Sequence, residues 1–333
     1  MAPLRIGVMG AARIAPFALL NPARTVANVE ITAIAARDKA RAQKMATKFA
    51  IPTVHDSYDA LIADPALDAI YIPLPNSHHA AWTIKTLDAG KHVLCEKPLA
   101  SNAAEAQAMA DAAARTGQIL AEAFHWRYHP MAARVQDIVA SGEIGAPQHY
   151  EVRFAVPLLE PGNIRFRLDL AGGALMDTGC YTINILRTMA GSEPQVTAAR
   201  AWLSSPGVDR RLTARFGFGD GRTGSILCSL AGWPLLSSKL TITGDKGRLS
   251  LTNPVAPHMF QRLTIRSENG KRREKVDGRA TYVHQLEAFR DWVLNGIPMP
   301  SDAEDGVRNM AVIDAVYRAA GLSPRSGTLV PAP

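Results

Sequence analysis

The first 123 residues alternate short apolar segments of strand length with segments of helical composition, and this alternation is the strongest constraint on the fold. Strands separated by helices run parallel, because each helix returns the chain to the same edge of the sheet. The sequence therefore predicts a doubly wound parallel sheet whose ligand crevice lies outside the carboxyl ends of its strands. Five strands are predicted in this part of the chain. Two of them begin at Leu4 and at His92, and the other three cover Val29–Arg37, Asp68–Ile72 and Gln118–Ala123.

The segment from His92 to Leu99 has the pattern of a short buried strand that stops at Glu96-Lys97-Pro98. The residue before a proline is restricted to extended backbone, so Lys97 would stand at the crevice in a defined position. A lysine there is well placed to act on a bound substrate. An ordinary surface loop lysine explains the spacing equally well.

The turn after the first strand has the pattern Gly10-x-Ala12-x-x-Ala15, with alanine in two of the three glycine positions of a dinucleotide-binding turn. Small residues there permit the bend and let backbone amides approach a pyrophosphate, and the helix N-terminus adds partial positive charge. The pattern alone is common, but its place at the first strand–helix junction predicts a cofactor site. The residues expected to line this part of the site are Gly10, Ala12, Arg13 and Ile14.

The end of the second strand is where NAD-binding folds place an acidic residue for the adenosine ribose. Here Ala36 and Arg37 follow the apolar run. A small residue followed by an arginine makes room for a 2′-phosphate and neutralises it, so we predict that NADP is the preferred cofactor. Asp38 keeps NAD compatible, and the alternative for Arg37 is a solvated charge at a strand end.

Prolines directly after the strand Asp68–Ile72 end that strand at the crevice. The loop Pro73–His79 is therefore expected to meet the cofactor. The alternative is a polar cluster at the start of the following helix. The cofactor contacts predicted around this loop and the Lys97 strand are Pro73, Leu74, Asn76, His79, Glu96 and Lys97.

From Phe124 the strict alternation of strand and helix segments gives way to a series of candidate strands joined by turns. The sequence therefore predicts a cofactor domain of residues 1–123 and a substrate domain of residues 124–333. Candidate strands joined by turns such as Asp220-Gly221 predict a large, mostly antiparallel open sheet with one face covered by helices. The candidate strands are Gln148–Val156, Gln195–Leu203, Arg210–Phe218, Thr223–Leu230, Leu240–Gly244 and Arg248–Leu251, and the closing helices are Thr281–Asn295 and Asp302–Ala320.

Two segments of the second domain contain candidate substrate-binding and catalytic residues. His125-Trp126-Arg127 is dense in groups that hydrogen-bond to and stack on a polar substrate. Downstream of Gly172-Gly173, Asp177 and Tyr181 are spaced to lie on one face of a helix. A carboxylate, a phenol and an ammonium that converge on one hydroxyl carbon form a proton-transfer set. The alternatives are a helix cap for Asp177 and a core aromatic for Tyr181.

The composition argues against several other classes of protein. The formal net charge is +7, but the basic residues are scattered apart from Lys271-Arg272-Arg273 and only 6% of residues are aromatic. We therefore predict no nucleic-acid binding and at most a modest preference for an anionic ligand. There is no apolar run of bilayer length and no signal segment, and the three cysteines suggest neither disulfides nor zinc. We expect a cytoplasmic protein without a metal or a membrane partner.

Taken together, the motifs resemble the Gfo/Idh/MocA family of NAD(P)-dependent oxidoreductases over essentially the whole chain. Tyrosine at position 181, where many members have histidine, and Ala36-Arg37 are most similar to the branch of dimeric dihydrodiol dehydrogenase and NADP-dependent sugar dehydrogenases. The motifs that carry the resemblance are the Gly10 turn, Pro75-Asn76-x-x-His79, Glu96-Lys97-Pro98 and Gly172-Gly173…Asp177-x-Gly179-x-Tyr181.

The resemblance implies an N-terminal Rossmann domain, acid/base work by Lys97, Asp177 and Tyr181, and a homodimer or homotetramer formed through the open sheet. The predicted reaction moves a hydride between NADP and a secondary alcohol or ketone carbon of a sugar, cyclic polyol or trans-dihydrodiol. The alternatives are a keto-sugar or dicarbonyl reductase and a catalytically silent NADP(H)-binding regulator. The residues expected to contact substrate are His125, Trp126, Arg127, Arg165 and Asp177.

Overall fold

A computed structural model of the chain describes residues 2–160 and 162–327. Within them the chain divides into two compact units. The first unit contains the described residues up to 124, residues 282–307 and residue 327, and the second contains residues 125–281 and 308–326. The end of the predicted second domain, residues 328–333, lies outside the described residues.

The sheet of the first unit has six parallel strands in the order β3-β2-β1-β4-β5-β6. This is the strand order of the doubly wound dinucleotide-binding fold, whose switch point lies between β1 and β4. The predicted parallel sheet is confirmed, with one additional strand, β3, which is too short to show a pattern in the sequence. The strands are β1 (Leu4–Met9), β2 (Val29–Ala35), β3 (Thr53–His55), β4 (Ala69–Ile72), β5 (His92–Cys95) and β6 (Leu120–Glu122).

Several helices begin at polar side chains that accept a hydrogen bond from a backbone N–H three residues on, which satisfies an otherwise unpaired donor. Asp38, Ser57 and Asn102 do so at 3.1, 3.0 and 2.9 Å. The α-helices are α1 (Asn21–Ala23), α2 (Lys39–Phe49), α3 (Tyr58–Ala63), α4 (His79–Asp88), α5 (Ala103–Thr116), α6 (Pro130–Ala140), α7 (Cys180–Ala190), α8 (Thr281–Asn295) and α9 (Ala303–Ala319).

The sheet of the second unit has eight strands in the order β14-β13-β12-β11-β7-β10-β9-β8. Only β7 and β10 pair in parallel, so the predicted mostly antiparallel sheet is confirmed. Two strands were not predicted, β13 and β14, because their many basic residues resemble a solvated segment. The strands are β7 (Pro147–Ala155), β8 (Gln195–Ser205), β9 (Val208–Gly217), β10 (Thr223–Ser229), β11 (Ser237–Gly244), β12 (Gly247–Thr252), β13 (Arg262–Ser267) and β14 (Gly270–Glu274).

Side chains alternate between the two faces of this sheet, as the pleat requires. One face is apolar and buried, for example at Val152, Leu240 and Leu249, and α7 packs against its central strands β7 and β10. The opposite face carries polar side chains, most of them exposed or half-buried. The core of the second unit therefore lies on the helical side of the sheet.

A buried ion pair fixes the last part of the second unit. Arg325 Nη2 lies 2.6 Å from Asp209 Oδ1 at the start of β9, and the two side chains are 2% and 0% exposed. Tyr317 Oη donates to the same carboxylate at 3.0 Å, and Arg325 Nε donates to the carbonyl of Gly172 at 2.7 Å. The segment after α9 is therefore an integral part of the fold.

Candidate active site

The turn after β1 forms a backbone cradle at the carboxyl edge of the first sheet. Gly10 has a φ of +110°, and a Cβ there would lie 3.1 Å from the Leu74 side chain, so the position favours glycine. Within the described residues the N–H groups of Ala12 and Ile14 donate to no protein acceptor. Free amides beside a helix start suit a pyrophosphate. The helix itself begins at Pro16 as a five-residue π-helix, Pro16–Leu20.

The end of β2 presents a cation rather than a carboxylate to this cradle. Arg37 is exposed, whereas the Asp38 carboxylate is occupied as the N-cap of α2 and accepts from the N–H of Arg41 at 3.1 Å. The Arg41 guanidinium in turn donates to the carbonyl of Ala11 at 2.8 Å. Because Asp38 is used by the backbone, the side chain left to meet an adenosine ribose is Arg37, which suits a 2′-phosphate.

The loop after β4 is held by a buried histidine. His79 is 0% exposed, and its two ring nitrogens lie 2.9 Å from the carbonyl of Pro98 and 2.8 Å from that of Leu74. Burial lowers the pKa of His79, whereas the hydrogen bonds to the two carbonyls act in the opposite direction. His79 thus connects the β4 loop to the segment that follows Lys97. Pro73, Leu74 and Asn76 lie on that loop.

Lys97 is the second residue after the carboxyl end of β5 and is half-buried, and its peptide bond to Pro98 is cis. Beside it, Glu96 is 7% exposed and accepts from Tyr71 Oη at 2.7 Å and from the N–H of Lys97 at 3.3 Å. Burial, followed by the Glu96 charge, raises the pKa of Tyr71 well above its usual range. The neutral Tyr71 therefore holds Glu96 in place under the Lys97 backbone.

In the second unit, Asp177 is paired with an arginine from the loop before it. Arg165 Nε lies 2.8 Å from Asp177 Oδ2, with the side chains 42% and 17% exposed. The Asp177 charge raises the pKa of Arg165, as expected for a close pair of opposite charges. Asp177 lies in a π-helical segment, Leu175–Gly179, that leads directly into α7. The predicted helix is confirmed, with a wider first turn than expected.

The two glycines before this segment make close protein packing possible. A Cβ on Gly172 would lie 2.6 Å from the carbonyl oxygen of Arg165, and one on Gly173 would lie 2.2 Å from Asp209 Oδ1. Gly173 also donates to the Arg165 carbonyl at 2.8 Å. The glycines therefore let the Arg165 loop lie against the start of the helix, which places the guanidinium on Asp177.

Tyr181, in the first turn of α7, belongs to a buried hydrogen-bonded chain. Its hydroxyl lies 3.1 Å from His125 Nε2, and His125 Nδ1 lies 2.7 Å from Thr281 Oγ1. The tyrosine, histidine and threonine are 5%, 3% and 0% exposed. The ring of Phe154 meets that of Tyr181 edge-on, with centroids 5.7 Å apart. The phenol is thus held rigidly by its neighbours.

The remaining predicted substrate residues stand in the short 3₁₀-helix His125–Tyr128. Trp126 is buried and donates from Nε1 to Asn184 Oδ1 at 3.0 Å, whereas Arg127 is half-buried. The structure therefore gathers His125, Trp126 and Arg127 with the α7 residues in the second unit. Lys97 and the predicted cofactor contacts belong to the first unit.

Sequence reasoning missed the partners of two predicted residues. The contact between His125 and Thr281 joins positions 156 residues apart, and no motif connects them. Arg165 was predicted as a substrate contact, but its ion pair with Asp177 depends on the turn at Gly172. Only the unusual pair of glycines before a helix indicated that something packs closely there.

Across residues 2–160 and 162–327, no group of three His, Cys, Asp or Glu side chains is arranged to hold a metal ion. In the same part of the chain, no helix is both long enough and apolar enough to cross a membrane. Cys95, Cys180 and Cys228 are buried and are not joined in disulfides.

Two family models match the chain in succession. Residues 4–124 match an oxidoreductase family model described as an NAD-binding Rossmann fold, and residues 132–250 match the GFO/IDH/MocA C-terminal domain. Together the two matched segments cover most of both described units.

Similar proteins of known activity align over nearly the full chain. The D-xylose 1-dehydrogenase (NADP(+)) 2 of Haloferax volcanii is 37% identical over 95% of this chain and 97% of its own. A dTDP-3,4-didehydro-2,6-dideoxy-alpha-D-glucose 3-reductase of Streptomyces violaceoruber is 33% identical, with 96% of each chain covered. The crystal structure of a 3-ketoreductase from Actinomadura kijaniata, in complex with NADP and TDP-benzene, superposes with a TM-score of 0.90 at 28% identity, covering 95% of this chain and 98% of its own.

Proposed function

The chain belongs to the Gfo/Idh/MocA family of oxidoreductases, and from that premise we propose a specific reaction for it. It transfers a hydride between NADP and a secondary alcohol or ketone carbon of a sugar, cyclic polyol or trans-dihydrodiol. The observation that carries this proposal is the full-length similarity to an NADP-dependent sugar dehydrogenase, in a chain that has Lys97, Asp177 and Tyr181 together.

The cofactor site of the first unit suits NADP. The unpaired amides of the Gly10 turn would hold the pyrophosphate, and Arg37 would pair with the 2′-phosphate while Asp38 stays bound to α2. Arg13, Pro73, Leu74 and Asn76 complete the proposed contacts, and Glu96 and His79 fix the loops that carry them.

When bound, NADP supplies the hydride chemistry at C4 of its nicotinamide, and the protein supplies position and proton transfer. In the oxidation direction, Tyr181 takes the proton of the substrate hydroxyl while the carbinol carbon gives up its hydride. Lys97 donates a hydrogen bond to the same oxygen and polarises it. Reduction of a ketone uses the same groups in reverse, with Tyr181 returning the proton.

His125 and Thr281 support the proton transfer at Tyr181 as positioning residues. In the tautomer with its proton on Nε2, His125 donates to the Tyr181 oxygen whether that oxygen is a phenol or a phenolate, so no proton moves on the ring during the reaction. In the other tautomer the phenol donates to Nε2, and Nδ1–H donates to the Thr281 hydroxyl. Because a hydroxyl both donates and accepts, Thr281 satisfies either state of the ring. The two buried contacts, at 3.1 and 2.7 Å, keep the phenol oriented throughout.

Arg165 gives Asp177 a fixed charge and a fixed orientation. We propose that Asp177 accepts a hydrogen bond from a substrate hydroxyl next to the reacting carbon. Arg165 remains partly exposed, so a carboxylate or phosphate on the substrate could share its guanidinium. Arg127 and Trp126 supply the other proposed substrate contacts.

A keto-sugar reductase is the second candidate, favoured by the full-length similarity to the dTDP-keto-sugar reductase of Streptomyces violaceoruber. Because the same residues serve both directions, a purified enzyme distinguishes the candidates by the substrates it turns over. A catalytically silent NADP(H)-binding regulator would bind cofactor without any turnover.

The test begins with fluorescence titration of the protein with NADPH and NADH, followed by a screen of sugars, polyols, diols and their ketones. We expect tighter binding of NADPH and turnover of at least one sugar-type substrate. Lys97→Ala and Tyr181→Phe should each reduce kcat by about 100-fold or more while cofactor binding stays nearly unchanged. Turnover by both variants at the rate of the original protein would contradict the mechanism.

We also propose that the protein works in the cytoplasm, since its three cysteines are buried thiols that are not joined in disulfides. Burial raises the pKa of Cys95 and Cys228 well above the usual range, which leaves their thiols inert. A homodimer or homotetramer formed through the second sheet stays a prediction.

A further inference from the structure

The segment Lys97–Ser101 lies in irregular backbone between β5 and α5 and carries the proposed proton-transfer lysine. From Pro98 to Ser101 every residue is buried. A buried backbone that leaves the sheet must find its hydrogen-bond partners elsewhere, because an unpaired buried N–H or C=O costs free energy. The position of Lys97 therefore depends on the side chains that bind this segment.

Two side chains of the first sheet bind the backbone of Leu99. Glu122 Oε1 accepts a hydrogen bond from the Leu99 N–H at 2.8 Å, and the Cys95 thiol donates to the Leu99 carbonyl oxygen at 3.8 Å. Cys95 and Glu122 are directly opposite each other on β5 and β6, so their side chains lie on the same face of the sheet. The sheet thus fixes the backbone two residues beyond Lys97.

The backbone of Glu122 is anchored on the outer side of β6, the last strand of the sheet. Its N–H donates to the Ser301 carbonyl at 2.9 Å, and Ser301 Oγ donates to the Glu122 carbonyl at 2.7 Å. A short antiparallel bridge between Ala121 and Asp302 flanks these bonds. Glu122 is therefore held firmly enough to hold another segment in turn.

The contact between Glu122 and Leu99 is shielded from water. Both residues are 0% exposed, and a Cβ on Gly306 of α9 would lie 2.4 Å from the Leu99 side chain and 3.3 Å from Glu122 Oε2. Burial raises the pKa of the Cys95 thiol well above its usual range, and the Glu122 charge adds to that shift. A hydrogen bond from an N–H to an ionised carboxylate is stronger than one between neutral groups. Glu122 is thus a firm anchor for the Leu99 N–H.

We propose that Glu122 is a positioning residue for Lys97, because it fixes the backbone from which the lysine reaches the substrate oxygen. The inference rests on the proposed role of Lys97 in proton transfer. Glu96 and His79 bind the N–H of Lys97 and the carbonyl of Pro98, and Glu122 binds the next peptide group. A displacement of about 1 Å can reduce the rate about 100-fold, so a contact two residues away is enough to affect turnover.

The experiment is a double-mutant cycle on the full chain, with kcat measured at saturating NADP and with a substrate found in the screen. Glu122→Ala should lower kcat by about tenfold or more, while cofactor affinity stays nearly unchanged. In the Lys97→Ala background the same substitution should lower kcat by less than about twofold, because the group that it positions is absent. Glu122→Gln keeps an oxygen that can accept the Leu99 N–H and should restore most of the rate.

The matched control is Asp68→Asn. The Asp68 carboxylate also accepts a backbone N–H, that of Arg5 at 2.8 Å, but it does so at the amino edge of the same sheet. This variant should melt at a lower temperature and keep the kcat of the original protein. Circular dichroism and melting temperature establish which variants are folded. Where Glu122→Ala does not fold, Glu122→Asp, whose carboxylate is one methylene shorter, takes its place in the cycle with an expected loss of about threefold or more.

A second readout does not need turnover. Acetic anhydride labels unprotonated and accessible lysines, and peptide mass spectrometry reports the rate at Lys97 relative to the other lysines. Loss of the Glu122 carboxylate loosens the segment and removes a negative charge that favours the ammonium, so labelling of Lys97 should become about threefold faster or more. Asp68→Asn should leave this rate unchanged.

The outcomes separate this inference from the proposed function. An equal loss of kcat from Glu122→Ala in both backgrounds, or an unchanged Lys97 labelling rate, would overturn the positioning role of Glu122. Unchanged turnover in Lys97→Ala alone would instead contradict the proposed mechanism, and the labelling rate would still decide whether Glu122 positions the lysine.

Discussion

At the scale of single residues, Arg37 carries the choice of cofactor. We expect Arg37→Ala to weaken NADPH binding by about 10- to 100-fold, the loss of a charge-assisted contact to the 2′-phosphate. Binding of NADH should change little, because it lacks that phosphate. Fluorescence titration measures both, and Lys44→Ala, an exposed lysine on α2, is the matched control. An equal loss of affinity for NADPH and NADH would show that Arg37 supports the structure of the turn and does not contact the 2′-phosphate.

His125 is proposed to orient the Tyr181 phenol during proton transfer. His125→Leu removes the partner of the Tyr181 hydroxyl, so we expect kcat to fall by about tenfold or more while KM changes little. His125→Gln keeps a polar atom near the phenol and should restore part of the rate. The pH profiles of kcat for the three proteins, compared with their cofactor affinities, test this. A leucine variant with unchanged kcat and a raised KM would make His125 a substrate contact instead.

At the scale of elements, a histidine joins β5 to the start of β6. The ring of His92 accepts from the N–H of Ile119 at 3.0 Å, which requires an unprotonated Nδ1. Burial lowers the pKa of His92 below its ordinary value of about 6.5. Because the pKa of His92 is lower in the folded than in the unfolded state, the unfolded state binds the proton first as pH falls. The contribution of the neutral ring to stability is therefore complete above pH 6.5 and is lost as pH falls through the lower, folded-state pKa.

We therefore expect the melting temperature to fall between pH 7 and pH 5, with part of that fall removed in His92→Asn. The asparagine oxygen can accept the same hydrogen bond but does not titrate. His79, whose pKa burial also lowers, remains in the variant and keeps the rest of the dependence. An identical pH dependence in the variant and the original protein would show that His92 does not contribute.

Some elements of the fold were predicted from the sequence and others were not. Strands with an apolar run, such as β2 and β4, were predicted because the cause of each is local. β3 is too short for a pattern, and β14 has the basic composition of a solvated segment. The partners of Asp177 and Tyr181 come from distant parts of the chain. Local patterns thus predicted candidate reactive groups but not the contacts that orient them.

At the scale of the whole molecule, the Asp209–Arg325 pair supports the second unit from its last described segment. Removing one member of a buried pair leaves the other charge unpaired, so we expect Arg325→Leu to lower the free energy of unfolding by about 3–5 kcal/mol. Urea unfolding followed by circular dichroism measures the change. Lys275→Leu, which breaks a fully exposed pair with Asp277, should lower the free energy of unfolding by far less. Equal effects would contradict a special role for the buried pair.

That pair also has a consequence for how the protein is made. Asp209 and Arg325 are 116 residues apart, which at ribosomal elongation rates corresponds to roughly 6–23 s. During that interval the carboxylate has no guanidinium and must stay in water, so β9 cannot reach its final burial. The second unit is therefore completed only after Arg325 has been translated. A nascent chain stalled before Arg325 would carry an unfinished sheet, a target for chaperones and proteases.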